Sequence, residues 1–309
     1  GSRTGWRTAW RRSRCIAPAF AAAAASCSLG SPRRALGLEE PPAPEEGPSQ
    51  RWVLREIHVA GEPPLEIWEG RFVFLDGAGV RAWPTAACCV AHLRSLFTSA
   101  GVASPDAGGA QSSGAWRGRR VLELGCGCGL LAIVLARWGA HVVATDMNPA
   151  ALALAEANAA RNLREPRQLQ LRSLDWSDAT ACSRLLEELG PFDVIVISDG
   201  VLALPPSGPM WRVAGDDKAP ASPPGPLLDA TRVLGAGGAD VLLAVAERAG
   251  DVAETARALL ERRRWLEMVS LPSDCLADDG STAVTIFQFR WRRAPGAGGE
   301  NARKLLAVA

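Results

Sequence analysis

The chain has 309 residues, of which 48% are hydrophobic and 22% charged, and a formal net charge of +1. This is the composition of a globular protein with a sizeable core, and the near-zero charge gives no electrostatic argument for binding nucleic acid or a membrane. Eight cysteines occur without a CxxC pair and three histidines without clustering, which argues against a metal site and favours reduced, buried thiols.

Residues 1–38 contain seven arginines, interspersed serines and no acidic residue, a pattern that resembles an organelle transit peptide. A leader without function is the alternative, and the alanine-rich apolar run within it is too short to span a bilayer. Residues 39–50 are rich in proline and glutamate and are typical of a linker. We therefore predict a disordered leader and linker over 1–50, a main domain over 51–293 and a flexible tail over 294–309. The expected localisation is cytoplasmic, or plastid or mitochondrial if the leader is a transit peptide.

A small antiparallel β unit is predicted at the start of the main domain. Residues 55–59, 65–69 and 71–75 alternate polar and apolar side chains between turn signals. A helix is predicted over 86–99, followed by a loop over 101–115 in which glycine, serine and proline dominate. We expect this unit to precede the main sheet.

From Arg120 onward, apolar strands alternate with helices. Strands are predicted at 121–124, 141–146, 168–174, 192–198 and 239–247, and helices at 130–139, 149–162, 179–189, 227–234 and 252–263. This alternation indicates a parallel sheet covered by helices on both faces. The last two strands, 265–271 and 281–291, have no helix between them and predict a terminal antiparallel hairpin.

A glycine-rich turn joins the first of these strands to its helix. Gly125, Gly127 and Gly129 allow the backbone to turn tightly and to approach a ligand closely. The helix behind them presents unpaired N–H groups at its N-terminus. The pattern is G-x-G-x-G, which differs from the dinucleotide pattern G-x-G-x-x-G.

An acidic residue closes the next strand, because Asp146 lies 21 residues after Gly125. A carboxylate at this place can accept hydrogen bonds from both hydroxyls of a ribose. Together with Glu123 in the preceding strand and the strand–helix context, the pattern predicts a site for an adenosine ligand. The alternative is a tight turn in some other α/β protein.

The stretch 121–146 resembles the S-adenosylmethionine site of the class I, seven-stranded methyltransferases, and this ligand has a carboxylate and an amine but no phosphate. Segments 79–86 (GVRAWPTA), 174–176 (LDW) and 192–199 (FDVIVISD) are similar to the methyltransferase-like family 16 protein lysine methyltransferases. The resemblance covers about residues 52–291. It implies an α/β fold with a doubly wound, mostly parallel, seven-stranded Rossmann-like sheet, and S-adenosyl-L-methionine as the cofactor.

The resemblance also implies roles for individual residues. Trp83 is expected to pack over the cofactor, Asp175 and the backbone after it to meet the adenine, and Asp199 to be the catalytic residue. The alternatives from the residues alone are that Trp83 is a core side chain, Asp175 a helix cap and Asp199 a turn residue. The complete set expected to bind the cofactor is Trp83, Glu123, Gly125, Cys126, Gly127, Asp146, Met147, Asp175, Trp176 and Ser198.

The implied activity is protein-lysine N-methylation, with Asp199 attracting the acceptor ammonium. One departure bears on the substrate: the family continues this Asp as D-x-x-Y, whereas Leu202 stands at the tyrosine position. The proline-rich stretch 204–226 looks like an insertion at the substrate face. Methylation of a small molecule or nucleic acid, or a catalytically degenerate binding module, are the alternatives. We expect a protein partner and neither a metal nor a membrane, and nucleic-acid base amines are disfavoured because residues 198–201 lack the Asn/Asp-Pro-Pro-aromatic pattern.

Overall fold

The computed structural model describes residues 52–59, 61–71, 78–98, 113–164, 168–199, 224–246, 257, 260, 266–270, 272–276 and 282–292. Several predictions concern residues outside these ranges and are not addressed by them. They are the leader and linker 1–50, the strand 71–75 beyond its first residue, most of the loop 101–115 and of the helix 252–263, position 202, the insertion up to 223, and the tail.

Ten strands are present in the described residues. They are β1 (Trp52–Ile57), β2 (Leu65–Gly70), β3 (Arg120–Leu124), β4 (His141–Asp146), β5 (Leu169–Ser173), β6 (Val194–Ser198), β7 (Asp240–Ala246), β8 (Leu266–Met268), β9 (Ser273–Leu276) and β10 (Ala283–Trp291). The helices are α1 (Pro84–Thr98), the single turn α2 (Ser113–Trp116), α3 (Leu130–Arg137), α4 (Pro149–Asn162), α5 (Ala179–Leu189) and α6 (Pro224–Leu234), with a 3₁₀ turn at Ala78–Val80. The predicted elements are confirmed to within a few residues wherever they fall in the described part of the chain.

The main sheet has the order β5-β4-β3-β6-β7-β10-β8, and β9 also pairs with β10. Strands β3 to β7 pair in parallel, whereas β10 runs antiparallel to β7. This confirms the doubly wound, mostly parallel sheet with an antiparallel end and a separate β1–β2 hairpin.

The predicted terminal hairpin differs in one respect. Its first strand, predicted over 265–271, is only three residues long, and β9 forms a second segment against the other end of β10. No sequence pattern predicts β9, because this edge segment alternates half-buried and exposed residues and carries Ser273 and Asp274. An edge strand with little buried apolar surface lacks the pattern on which strand prediction depends.

Alternation along the strands directs side chains into two separate cores. Val121 packs with residues of α1, α3 and α4 on one face, whereas Leu122 and Leu124 pack with α5 and α6 on the other. Glu123 has the parity of Val121, so its side chain lies on the α1, α3 and α4 face. This placement sets the surroundings of the candidate site.

Two asparagines of α4 dock the β1–β2 hairpin onto this face. Asn158 accepts a hydrogen bond from the Trp68 amide at 2.7 Å and donates to the Trp68 carbonyl at 3.1 Å. Asn162, one helical turn later, does the same with Glu66 at 3.1 and 2.8 Å. The two amides therefore replace a third strand along the edge of β2, because alternate residues of a strand present their backbone groups on the same side.

Candidate active site

The candidate site lies at the carboxyl ends of the parallel strands, where β3 has β4 on one side and β6 on the other. The chain runs from β3 to β4 and β5 on one side and then crosses to β6 on the other side of β3. This reversal of strand order opens a crevice beyond the strand ends. Apart from Trp83, the residues predicted to bind the cofactor lie at the ends of β3, β4 and β6 or just after β3, β4 and β5. The fold therefore brings together segments that are far apart in the sequence.

The glycine-rich turn is held against β4 by its backbone. The amides of Gly125 and Cys126 both donate to the carbonyl of Thr145 at 2.8 Å. Gly127 has a φ of +54°, in the left-handed region that favours glycine. A β-carbon on Gly127 would stand 2.8 Å from the carbonyl oxygen of Gly79. The segment around Gly79 thus lies directly on the loop, as expected for the segment that ends in Trp83.

Asp146 is buried and already engaged on both oxygens. Oδ2 accepts from the amide of Gly127 at 2.9 Å, and Oδ1 accepts from the amide of Asn148 at 2.8 Å. Burial raises the pKa of this carboxyl, and these amide hydrogen bonds oppose the increase. Each carboxylate oxygen has a second lone pair, so the group can still accept two hydroxyl hydrogen bonds, as a ribose requires.

Glu123 supplies the clearest test of whether a cofactor fits. Its side chain is 2% exposed, and Oε2 has no hydrogen-bond partner among the described residues. Burial, and then the nearby Asp146, raise the pKa of Glu123 well above its usual range. An unsatisfied buried carboxyl oxygen destabilises a protein by about 1–3 kcal/mol unless another group meets it. The ammonium of S-adenosylmethionine is a group of the required charge and hydrogen-bonding type.

The LDW segment contributes one contact with the loop and one local turn. The ring of Trp176 lies 3.2 Å from the point where a β-carbon on Gly125 would stand. Asp175 is exposed and accepts through Oδ1 from the amide and hydroxyl of Ser177 at 2.8 and 2.7 Å. The cap of α5 is Asp178, which accepts from Thr180 and Ala181. Asp175 thus forms a turn beside the site without capping the helix itself.

Three other predicted residues border the same crevice. Met147, next to Asp146, is 60% exposed, which is unusual for so large an apolar side chain. Trp83 is half-buried and immediately precedes α1, at the end of the segment that covers Gly127. Cys126 is buried, and burial raises the pKa of its thiol well above the usual range, so it stays protonated.

Asp199 follows β6 in an uncommon backbone conformation. Its φ is +63°, it is 9% exposed, and its amide donates to the carbonyl of Ala244 at 3.0 Å. Aspartate is one of the few side chains that tolerate this left-handed region. The preceding Ser198 is half-buried and interacts with the thiol of Cys89 on α1. Asp199 therefore lies at the strand end beside β3, close to the start of α1.

Sequence reasoning missed Glu69, which holds the segment 79–83 that covers Gly127 (the covering segment), and Asn158, which holds the glycine loop. Glu69 is buried; its Oε1 accepts from the amide of Ala82 at 2.8 Å, and its Oε2 pairs with Arg55 Nε at 2.7 Å. Asn158 also donates to the carbonyl of Cys128 at 2.8 Å, linking the hairpin to the glycine loop. A signal for Glu69 existed, because it shares the parity of Leu65 and Ile67 and so belongs to the buried face of β2.

The described residues contain neither a metal-site cluster nor a membrane-spanning helix. No cluster of histidine, cysteine, aspartate and glutamate side chains there has the arrangement of a metal site. None of the helices there is both long and apolar enough to cross a membrane.

Part of the chain is similar to a known protein family and to two curated relatives. The sequence profile of the lysine methyltransferase family matches residues 60–204. The release factor glutamine methyltransferase of Cereibacter sphaeroides is 36% identical over 119 residues, 38% of this chain and 40% of that protein. Protein N-lysine methyltransferase METTL21A of Danio rerio is 39% identical over 85 residues, 27% of this chain and 37% of that protein. The chain spans well under half the length of these curated relatives.

A solved structure supports the fold. The structure of SMU.776 complexed with SAH is similar with a TM-score of 0.51 and 13% identity, covering 80% of this chain and 57% of that chain. At this level of identity the likeness concerns the fold alone. The chain therefore has the class I methyltransferase fold, and it resembles the lysine methyltransferase family over residues 60–204.

Proposed function

We propose that this protein transfers a methyl group from S-adenosylmethionine to the side chain of a protein lysine. The observation that carries the proposal is the juxtaposition at neighbouring strand ends of the glycine loop after β3 and the buried Asp199 after β6. The first can hold a cationic adenosine ligand, and the second offers a carboxylate to a cationic acceptor. The match to the lysine methyltransferase profile supports an amine as that acceptor.

Cofactor binding is assigned to groups on three strand ends. Asp146 accepts the ribose hydroxyls, and the carboxyl of Glu123 receives the ammonium of the methionyl part. Trp176 and Met147 offer apolar surface to the adenine, beside the Asp175 turn. The covering segment that ends in Trp83 lies on the opposite side of the loop.

The chain's contribution to the reaction is chiefly alignment. The bound cofactor supplies an electrophilic methyl group on a positive sulfur, so the amine nitrogen bonds to the methyl carbon as the carbon–sulfur bond breaks. Fixing donor and acceptor in line can contribute on the order of 7–11 kcal/mol. The hydrogen-bonded backbone at Gly125 and Cys126 and the docked hairpin provide the rigidity that such alignment requires.

The acceptor must lose a proton before it reacts. A lysine has a reference pKa of about 10.4, so only about one amine in a thousand is neutral near pH 7.4. Asp199 attracts the ammonium form into the site, although its charge also favours that form. A positive sulfur beside the acceptor would disfavour its ammonium form, because like charges repel in a buried site, and the proton would leave to solvent before the nitrogen reacts. Asp199 is thus proposed to bind and orient the acceptor.

The alternatives differ in the class of acceptor. A small-molecule methyltransferase uses the same fold, since the fold does not determine the substrate. A second alternative is a module that binds the cofactor without transferring methyl, because Leu202 stands at the position of the family tyrosine. The strand-end sequence Ser198–Val201 lacks the pattern of base-amine methyltransferases, which disfavours nucleic acid.

The test is transfer of labelled methyl from S-adenosylmethionine into a lysate. Protease should release the label and nuclease should not, and acid hydrolysis should yield methyl-lysine. Asp146→Ala, with its fold checked by thermal melting, is the control, because it loses the ribose contact. Label in nuclease-sensitive or small-molecule material would show that the acceptor is a nucleic acid or a small molecule and not a protein. Absence of label beyond the Asp146→Ala background, with cofactor binding intact, would favour the binding module.

A further inference from the structure

Two buried polar atoms near the strand ends lack hydrogen-bond partners among the described residues. One is Oε2 of Glu123 on β3, and the other is Oγ1 of Thr85 on α1. Thr85 is 0% exposed, so water does not satisfy its hydroxyl from the surface. A buried hydroxyl without a partner destabilises a protein by about 1–3 kcal/mol, which makes such a group a candidate for ligand binding.

The position of Thr85 follows from two neighbours on its own chain segment. It is the second residue of α1 and follows the segment whose Gly79 carbonyl lies on Gly127. Cys89, one helical turn later on the same face, interacts with Ser198 and lies near Glu123 and Asp199. Thr85 therefore lies one turn before Cys89 on the same face of α1, at the end of the helix that follows the segment packed on Gly127.

The start of α1 is suited to a negative group. The helix has 15 residues, and its first turn contains no acidic residue. Its first amide groups lack intrahelical acceptors, and the helix dipole adds positive potential there. The buried Thr85 hydroxyl adds a side-chain donor at the same end. Glu123, across the crevice on β3, provides an acceptor of the opposite character.

We propose that Thr85 and the N-terminus of α1 bind the carboxylate of the methionyl part of S-adenosylmethionine, while Glu123 binds its ammonium. An α-amino acid is a zwitterion and needs one donor group and one acceptor group a short distance apart. Thr85 and Glu123 supply one each, from two elements that meet at the strand ends. This inference rests on the cofactor and is independent of which acceptor is methylated.

The test compares two ligands by titration calorimetry on the full chain. S-adenosylmethionine carries the carboxylate, and decarboxylated S-adenosylmethionine lacks it but keeps the amine and the sulfonium. Thr85→Val removes the hydroxyl at nearly constant volume and should weaken S-adenosylmethionine binding about 10-fold, the loss expected for one hydrogen bond to a charged group. Binding of the decarboxylated ligand should change by less than about 2-fold.

Matched variants distinguish this role from a structural one. Thr85→Ser keeps the hydroxyl and should bind both ligands as the wild type does, and Glu123→Gln should weaken both because both carry the amine. Thr85→Ala is measured in the same way, so that a packing fault in the valine variant does not decide the outcome. An unchanged affinity of both Thr85→Val and Thr85→Ala for S-adenosylmethionine, or an equal loss for both ligands, would overturn the assignment. A wild-type chain that bound neither ligand would overturn the cofactor assignment together with it.

Discussion

The carbonyl oxygen of Gly79 lies 2.8 Å from the point where a β-carbon on Gly127 would stand. Real β-carbons do not approach a backbone oxygen so closely, so the covering segment can lie on the glycine loop only while residue 127 has no side chain. The same contact places the segment that ends in Trp83 beside Asp146, whose Oδ2 accepts from the Gly127 amide. The loop and its cover are therefore one packed unit.

Gly127→Ala should reduce cofactor affinity by at least about 10-fold, because it combines backbone strain with displacement of the cover. Gly118→Ala is the matched control: its φ is +76°, but no atom lies within 4 Å of the added carbon. The control should lose roughly 1 kcal/mol of unfolding free energy and leave affinity unchanged. Calorimetry and thermal melting measure the two quantities. Equal affinity losses in both variants would show that the contact with Gly79 does not matter for binding.

The pH dependence of binding should follow from Glu123. Burial and Asp146 raise the pKa of this carboxyl in the ligand-free protein, so it holds a proton at pH values where an exposed glutamate does not. A cofactor ammonium beside it lowers that pKa, so binding should release a proton and weaken as the pH falls. Calorimetry in buffers of different ionisation enthalpy counts the protons. Release of the same number by Glu123→Gln would remove Glu123 from this role.

The same shift has a consequence for the ligand-free protein. Because the folded-state pKa of Glu123 is raised above its unfolded value of about 4.3, its stabilising contribution is complete below that value and is lost as the pH rises through the folded-state pKa. Without ligand, Glu123→Gln should therefore be more stable than the wild type at pH values above the folded-state pKa of Glu123. Melting curves between about pH 5 and 8 measure the difference. A stability difference that is independent of pH would contradict the account.

Glu69 should matter through the segment it holds. Glu69→Ala removes the acceptor of the Ala82 amide and breaks the ion pair with Arg55, so unfolding free energy should fall by about 2–3 kcal/mol and cofactor affinity should fall with it. Glu69→Gln can still accept from that amide and should retain more affinity. Hydrogen exchange at Ala82 gives the direct readout. The control is Glu66→Ala, on the same strand as Glu69, which breaks an exposed ion pair with Arg161 of α4. It should change stability by less than about 1 kcal/mol. Unaltered exchange at Ala82 in Glu69→Ala would contradict the role.

Asp199→Asn should lower methyl transfer about 10- to 100-fold, corresponding to about 1.4–2.7 kcal/mol of transition-state stabilisation. Asparagine tolerates the left-handed backbone that Asp199 adopts, so the substitution removes charge without new strain. Affinity for S-adenosylmethionine should change little, and KM for the acceptor should rise. Loss of cofactor binding with acceptor affinity intact would assign Asp199 to the cofactor. No change in either would leave it a turn residue.

The main sheet could be predicted from the sequence because its strands are apolar and its connections are helical. The segments 121–124 and 141–146 were found to within one residue, since their side chains are buried on both faces and a clear helix lies between them. The glycine loop was equally visible, because its spacing reflects a local backbone requirement. Local signals of this kind need no knowledge of tertiary contacts.

Other features depend on contacts between distant segments. The docking of β2 by Asn158 and Asn162 joins residues about 90 positions apart, and nothing near either asparagine indicates it. Thr85 has an ordinary place at a helix start, and its importance comes from being buried without a partner. β9 lacks apolar alternation because it is a short edge segment. In each case the deciding energy comes from a neighbour that sequence pattern does not reveal.

The central claim is that the strand ends bind S-adenosylmethionine, and titration calorimetry on the full chain with Asp146→Ala tests it most directly. The wild type should bind one equivalent, and Asp146→Ala should bind about 10- to 100-fold more weakly, since the variant loses charge-assisted hydrogen bonds to the ribose. Asp193→Ala is the control, because that carboxylate accepts from the Arg120 amide at the opposite ends of β3 and β6 and should leave affinity unchanged. Absence of binding by the wild type, or equal affinity of the wild type and Asp146→Ala, would contradict the account.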